Sequence, residues 1–494
     1  MQVAASRSTL ALNLSARLDA LIGRPLPFFA AIFFVFLIVY GASIFLIPKR
    51  YGRLIVGDGI YYYVYVRSAV LDGDLDFLND YTIYQSFNTE DPIKKKEMLE
   101  RKTPIGMAAN FFSVGPAVLW SPLFIASHFI ATVLGQASDG FSFWYEAPIL
   151  FLSIAYGFIG ILLIDRVVAG MFSRFAAFVS ILSIWLATNV VYYMGVSPSA
   201  SHVLSLFTSA LFVYLWWRKS PHPSPLPEGE GVRTRRDWFV WGLSAGLMAL
   251  VRWQDILIAV LALFEWVKTT TDSPQPITDN RLLITDYRAS PIVRRLPSAV
   301  VNGLLFLAGL FLAFLPQMFA WQMLYGSPLT APQGGGFFQV LHPEMLNVWF
   351  STKRGLFAWS PILIFAVIGF VPLYQKNRLL GAAAIVIFVS ESYVNSIVND
   401  WWGGEAFGAR RFISLMPFFA LGLAAFIDYA RARVSQTILL VALAAFIVWN
   451  NLFLLQYNLW LHGIGHISAI PTLQEMTIDK FTAPLKALER LRGR

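Results

Sequence analysis

From about residue 28 to residue 455 the chain is a succession of apolar runs, many reaching the roughly 18–20 residues that carry a helix across a bilayer. They fall near 28–47, 111–134, 147–165, 175–196, 202–217, 238–251, 255–267, 298–324, 357–374, 379–397, 412–428 and 437–455. Hydrophobic residues make up 57% of the chain and charged residues only 14%, where soluble proteins carry about 25% charge. Mean hydropathy is +0.59. The soluble multidomain arrangement that 494 residues would otherwise suggest is excluded. The expected fold is an all-α polytopic membrane protein with about 11–13 transmembrane helices. Runs 238–251 and 255–267 are too short to cross singly without tilt or local thinning.

There is no cysteine, which removes disulfide scaffolds, thiol nucleophiles and Cys-ligated metal centres. No nucleic-acid module is present, so the net charge of +9 is read loop by loop as topology and lipid contact. The first run follows Arg7, Arg17 and Arg24 with no small-residue cleavage site behind it, which predicts a cytoplasmic N-terminus (1–27) and a retained span. Basic clusters at 218–237 and 268–295, with Lys376, Arg378, Arg431 and Arg433, predict cytoplasmic loops. The segments near 252–255, 325–356 and 398–411, and the tail 456–494, are then external. Parity fails in the N-terminal half: five runs separate two cytoplasmic ends, so one must be re-entrant, split or miscounted. Run 111–134 is the suspect, because Gly115-Pro116 and Ser121-Pro122 could break it. The Pro-rich stretch from Ser220 is expected to be a disordered insert. It resembles translated interspersed-repeat DNA of bacteria, which implies a bacterial inner membrane. Thr477–Arg494 reads as an amphipathic helix on the membrane surface.

The longest hydrophilic segment, 48–105, holds as many basic as acidic residues and offers little resistance to translocation. It opens with Val56-Gly57-Asp58-Gly59, followed by a Tyr-rich stretch from Tyr61 to Leu71 that suits an interfacial helix with aromatic anchors. From spacing alone Asp58 is best explained as a turn residue or helix cap. Asp72, Asp74 and Asp76 lack the spacing and distal Glu of an EF-hand and read as a solvated turn.

A retained first span, an acidic residue just beyond it, an aromatic helix and Asp72-Gly-Asp-Leu-Asp76 together resemble the GT-C superfamily of membrane glycosyltransferases, most closely family 39. That family includes protein O-mannosyltransferases and lipid A aminoarabinose transferases. Pro104-Ile-Gly106, Phe112-Ser-Val-Gly-Pro116, Trp120-Ser-Pro122, Ser351–Pro361 and Trp401–Phe412 extend the resemblance over about 28–455. In place of the Asp-Glu pair common in protein mannosyltransferases this chain has Asp58-Gly59, which weakens a two-carboxylate or metal-site reading. The resemblance implies transfer of a sugar from a polyprenyl-phosphate donor to a hydroxyl of a glycolipid, polysaccharide or protein on the periplasmic side. It implies Asp58 as general base, no certain cofactor and no assigned metal ligand, a divalent cation being left open.

Such chemistry needs external cations for the leaving phosphate, and the candidates are Arg252, Lys353, Arg354, Arg410 and Arg411. Arg252 could equally snorkel and pair with Asp255. The Lys353-Arg354 and Arg410-Arg411 pairs open spans on the outer side, against the positive-inside trend, and could instead anchor headgroups. Glu391, Asn395 and Asn399 share one helix face leading towards Glu405, and His202 caps a span. His202, Glu391 and Glu405 are the supporting or acceptor-binding candidates; a buried Glu–Arg pair and a hydrogen-bonded helix-end His explain the first two as well. The competing function is a transporter or lipid flippase. It predicts internal repeats and midplane charges, whereas no convincing repeat is present and the charged candidates gather at one face.

Overall fold

A computed structural model describes residues 20–46, 53–87, 96–220, 233–271 and 291–492. The Pro-rich insert, most of the N-terminus and parts of the 48–105 and 268–295 segments lie outside the described residues. Among those residues the chain is helical, with two isolated β-bridges, Lys102 to Ala108 and Phe338 to Val398. Seven helices are long and apolar enough to cross a membrane: α1 (Leu26–Leu46), α4 (Gly115–Val133), α5 (Phe143–Met171), α11 (which as a whole runs Pro291–Tyr325), α15 (Arg378–Ser396), the segment Arg410–Ala430 containing α16 (Met416–Ala430), and α17 (Gln436–Leu461). Between them lie α2 (Asp58–Arg67), α3 (Leu78–Phe87), α6 (Arg174–Leu186), α7 (Val190–Gly195), α8 (His202–Trp217), α9 (Arg235–Val251), α10 (Val260–Thr271), α12 (Met345–Phe350), α13 (Leu363–Ile368) and α14 (Phe370–Lys376). The chain closes with α18 (Ala483–Leu491).

Three expected spans are interrupted. Run 175–196 divides into α6 and α7 at Ala187–Asn189, where the Thr188 hydroxyl bonds back to Ile184 O and Asn450 and Asn451 of α17 cap the freed Leu186 and Thr188 carbonyls. Run 255–267 begins as a 3-10 segment, Trp253–Ala259, and 357–374 breaks around Pro361 and Gly369. Such breaks survive inside a bundle because side chains satisfy the exposed backbone groups.

Cross-contacts sort the helix ends into two sets. At one end Ser173 bonds Asp428 and Arg431, Arg233 reaches the Trp216 carbonyl, and Trp266 reaches that of Ala299. This end collects Arg218, Lys219, Arg233, Arg235 and Arg236, with the connections 376–378 and 431–433. The other holds 53–67, His202, Arg252, Asn395 and Arg410. Helix α4 bears on the parity question. It starts at Gly115, packed so tightly on Leu250 that a Cβ there would lie 2.3 Å from its carbonyl oxygen. It ends in a connection whose Asp139, Gly140 and Phe141 carbonyls accept from Arg67, Tyr63 and Arg53. Both ends of α4 thus contact segments of the site-side set. Helices α1, α5, α6–α7 and α8 run between the two sets of helix ends. The break expected at its prolines is not there. Pro116 stands in the first turn, where no N–H is needed, and Pro122 sits inside an unbroken helix.

Helix α2 also differs from expectation. Its tyrosines are not lipid anchors: Tyr61, Tyr62, Tyr63 and Tyr65 are all buried. Tyr61 stacks on Phe112 at 4.6 Å, Tyr63 meets Phe124 at 5.8 Å and Tyr65 meets Phe77 at 4.9 Å. The first loop is thereby a packed cap on the bundle, and this packing holds Asp58 in place.

Candidate functional site

Asp58 begins α2 immediately after Gly57, whose φ is +60°. Gly59 follows because the chain presses on Ser199: a Cβ at 59 would lie 2.6 Å from the Ser199 Cβ. A side chain at 59 would require Ser199 to shift. The Asp58 carboxylate, about a third exposed, accepts from Arg410 Nη1 at 2.5 Å. Arg410 opens the 3-10 turn Arg410–Leu415 that leads into α16, so the pair ties the first loop to the late external segment. Beside it, Ser201 donates to the buried Tyr62 hydroxyl at 2.8 Å.

Three further guanidiniums surround this pair. Arg411 is clamped by Asp400, donating to both carboxylate oxygens at 2.8 Å and to the Asp400 carbonyl at 3.0 Å. Arg354, 7% exposed, donates through Nε to the Ala406 carbonyl at 2.9 Å and through Nη1 to that of Ala469 at 3.5 Å. Among the described residues it is the one non-glycine residue at positive φ, +71°. Side chains rarely tolerate that region without a compensating constraint, and such strain gathers at functional sites. Arg354, Asn395, Trp402, Arg410 and Arg411 line a small recess. Lys353 stands at its edge, its ammonium 3.4 Å from the Trp402 ring centroid.

Arg252 caps α9 with extended backbone and lies below the recess. Its Nη1 is 2.6 Å from His202 Nδ1, and its Nε is 3.9 Å from Asp255. His202 is buried at the first turn of α8 with its ring 4.7 Å from Tyr193. Fully buried Asp255 accepts from the Ser205 hydroxyl at 2.5 Å. Glu391, also fully buried, accepts from Asn395 at 3.4 Å, and the charges acting on it are those of Asp255 and Arg252. These contacts with His202 and Asp255 fix the Arg252 side chain. They combine the two readings of Arg252: paired with Asp255, and also part of the cluster.

The structure thus brings Asp58, His202, Arg252, Arg354, Glu391, Arg410 and Arg411 into one assembly drawn from six segments. Glu405 is exposed and makes no hydrogen bond or ion pair among the described residues, although its charge acts on Tyr457, which also contacts Arg354. The sequence reading missed Asp400, Tyr62, Tyr193 and Ser205. Asp400 carries no signal in a polar loop, and the others are indistinguishable from ordinary buried polar residues until the chain is folded. Among the described residues no three His, Asp or Glu side chains form a metal-binding group.

Comparisons with protein-family models, with curated proteins and with solved structures return no match. What the fold and its helices define is a multi-pass α-helical membrane protein with a charged site at one end of its bundle.

Proposed function

We propose that this chain is a GT-C-type membrane glycosyltransferase that moves a sugar from a polyprenyl-phosphate donor to a hydroxyl acceptor. The observation that carries the reading is one carboxylate, Asp58, set among Arg410, Arg411, Arg354 and Arg252 at a single end of the bundle. In the reaction the acceptor hydroxyl gives its proton to Asp58, its oxygen attacks the anomeric carbon, and the sugar–phosphate bond breaks with inversion. The lipid phosphate leaves as an anion and needs cations rather than an acid. A guanidinium presents five donors, so Arg410 can hold Asp58 through one edge and a phosphate oxygen through another. Arg354, buried in a strained backbone conformation, supports the same role. Positive-inside bias, with Lys219, Arg233, Arg235, Arg236, Lys376, Arg378, Arg431 and Arg433 at the far end, supports an inner-membrane protein whose site faces the periplasm.

The test is direct. Purified full-length protein in lipid is given a panel of polyprenyl-phosphate sugars with glycolipid, polysaccharide and peptide acceptors, and products are identified by mass spectrometry. Sugar transfer with release of polyprenyl phosphate supports the assignment. Movement of lipid-linked sugar across the bilayer, with no transfer to any acceptor, would replace it with a flippase.

A further inference from the structure

Beyond Leu461 the chain turns back along α17 instead of leaving the bundle. The turn is a built structure: the Glu475 carboxylate accepts from the Ser468 N–H and hydroxyl at 2.9 Å and from the Thr472 N–H at 2.7 Å. Next come a 3-10 turn, Asp479–Thr482, and α18, both packed on α17. Lys480 is fully buried with its ammonium over the Trp449 ring, and Phe481 meets the same ring edge-on at 6.5 Å. Trp449 stands thirteen residues after Gln436 and twelve before Leu461. At about 1.5 Å per residue it lies ~18–20 Å from either end of α17, inside a hydrocarbon core about 30 Å thick whichever end meets the surface.

We propose that residues 466–492 form a strap inserted in the site-side leaflet of the bilayer, with phospholipid as its occupant. Phe481, Leu485 and Leu488 follow one another at helical spacing and are 58%, 60% and 50% exposed. Ile470, Leu473 and Ile478, at 56%, 72% and 66%, extend that surface. Ala483 is buried towards α17, while Glu489, Arg490 and Arg492 are exposed and Lys486 is half-buried. The element therefore has three faces: one on α17, one apolar and one charged with a basic excess. The apolar face continues the exposed side of α17 (Val441 and Val448, 63% and 55%), and at the depth of Trp449 that side meets lipid. The basic residues suit anionic headgroups at the leaflet surface. The strap also brings the Ala469 carbonyl to Arg354, so it forms part of the site's lipid-side wall.

The native chain has no cysteine, which makes single-site labelling clean. Phe481→Cys, Leu485→Cys, Leu488→Cys and Glu489→Cys in the full chain carry a fluorescent label in vesicles of phosphatidylcholine with phosphatidylglycerol. Quenching by brominated acyl chains is compared with quenching by aqueous iodide. All four positions are exposed, and only the label at 481 gives up a packing contact, the edge of Phe481 on Trp449. Labels at 481, 485 and 488 should be quenched about threefold or more by brominated lipid and little by iodide, with the reverse at 489. Equal iodide quenching at all four would place the strap in water and overturn the proposal. So would protection at 481, 485 and 488 that disappears as protein is diluted in lipid, because a second copy would then be the occupant.

Discussion

At the scale of single residues, the arginines divide by what holds them. Arg411 is neutralised by Asp400 and Arg410 by Asp58, whereas Arg354 is held by carbonyl oxygens. Losing a charge-assisted contact to phosphate costs about 1.5–3 kcal/mol, so Arg410→Ala should weaken donor binding roughly ten- to a hundredfold. Arg354→Gly separates binding from folding. Glycine relieves a positive φ that costs other residues about 1–2 kcal/mol, which offsets part of the loss of the bonds to the Ala406 and Ala469 carbonyls, so thermal stability should change little while donor affinity falls by the same factor; calorimetry and a binding assay read the two. Away from the site, Asp80 of the first loop is fully buried against Arg67 at 3.2 Å. Burial pushes its carboxyl up to about 7, with the Arg67 guanidinium pulling the other way. A folded value above the unfolded one means stability is fullest below about pH 4 and is lost as pH rises towards 7. Proteolysis of the 53–87 cap should quicken from pH 5 to pH 8, and Asp80→Asn should flatten that dependence.

Among the elements, α4 shows how far apolar length can mislead. Its nineteen residues satisfy the length and composition test for a span, yet both of its ends contact segments of the site-side set. Cysteines at Ser138 and Val56 should be labelled by an impermeant reagent from the same side, and a cysteine at Lys219 only from the other; labelling of 138 together with 219 would make α4 a crossing. The helix positions were legible in the sequence because apolar runs of this length have few alternatives. Whether a run crosses was not, since that depends on partners hundreds of residues away, such as Gln317 accepting from the Val114 N–H at 2.9 Å. The α2 tyrosines make the same point. An amphipathic aromatic stretch suits an interface or a core equally well until Phe77, Phe112 and Phe124 are seen to cover it.

For the whole molecule, the site exists because separated helix ends converge on one side: residue 58 after α1, 202 before α8, 252 after α9, 354 after α12 and 410 before α16. Asp58 and the arginines could be picked out beforehand as charges at the outer ends of apolar runs, an expensive place for charge without a task. Their mutual geometry could not, and neither could the partners Asp400, Ser205 and Tyr193. Glu405 carried the same acidic signal and is exposed, with no hydrogen bond or ion pair among the described residues. The measurement that bears most directly on this account compares Asp58→Asn with the unaltered protein, scoring donor binding and sugar transfer separately at pH 7. Asn keeps the shape and caps a helix about as well as Asp, but it cannot take a proton. Binding of the lipid-phosphate donor should persist while turnover falls about a hundredfold to ten-thousandfold. Near-normal transfer by a normally expressed Asp58→Asn variant would contradict the account and leave Asp58 as a helix cap paired with Arg410.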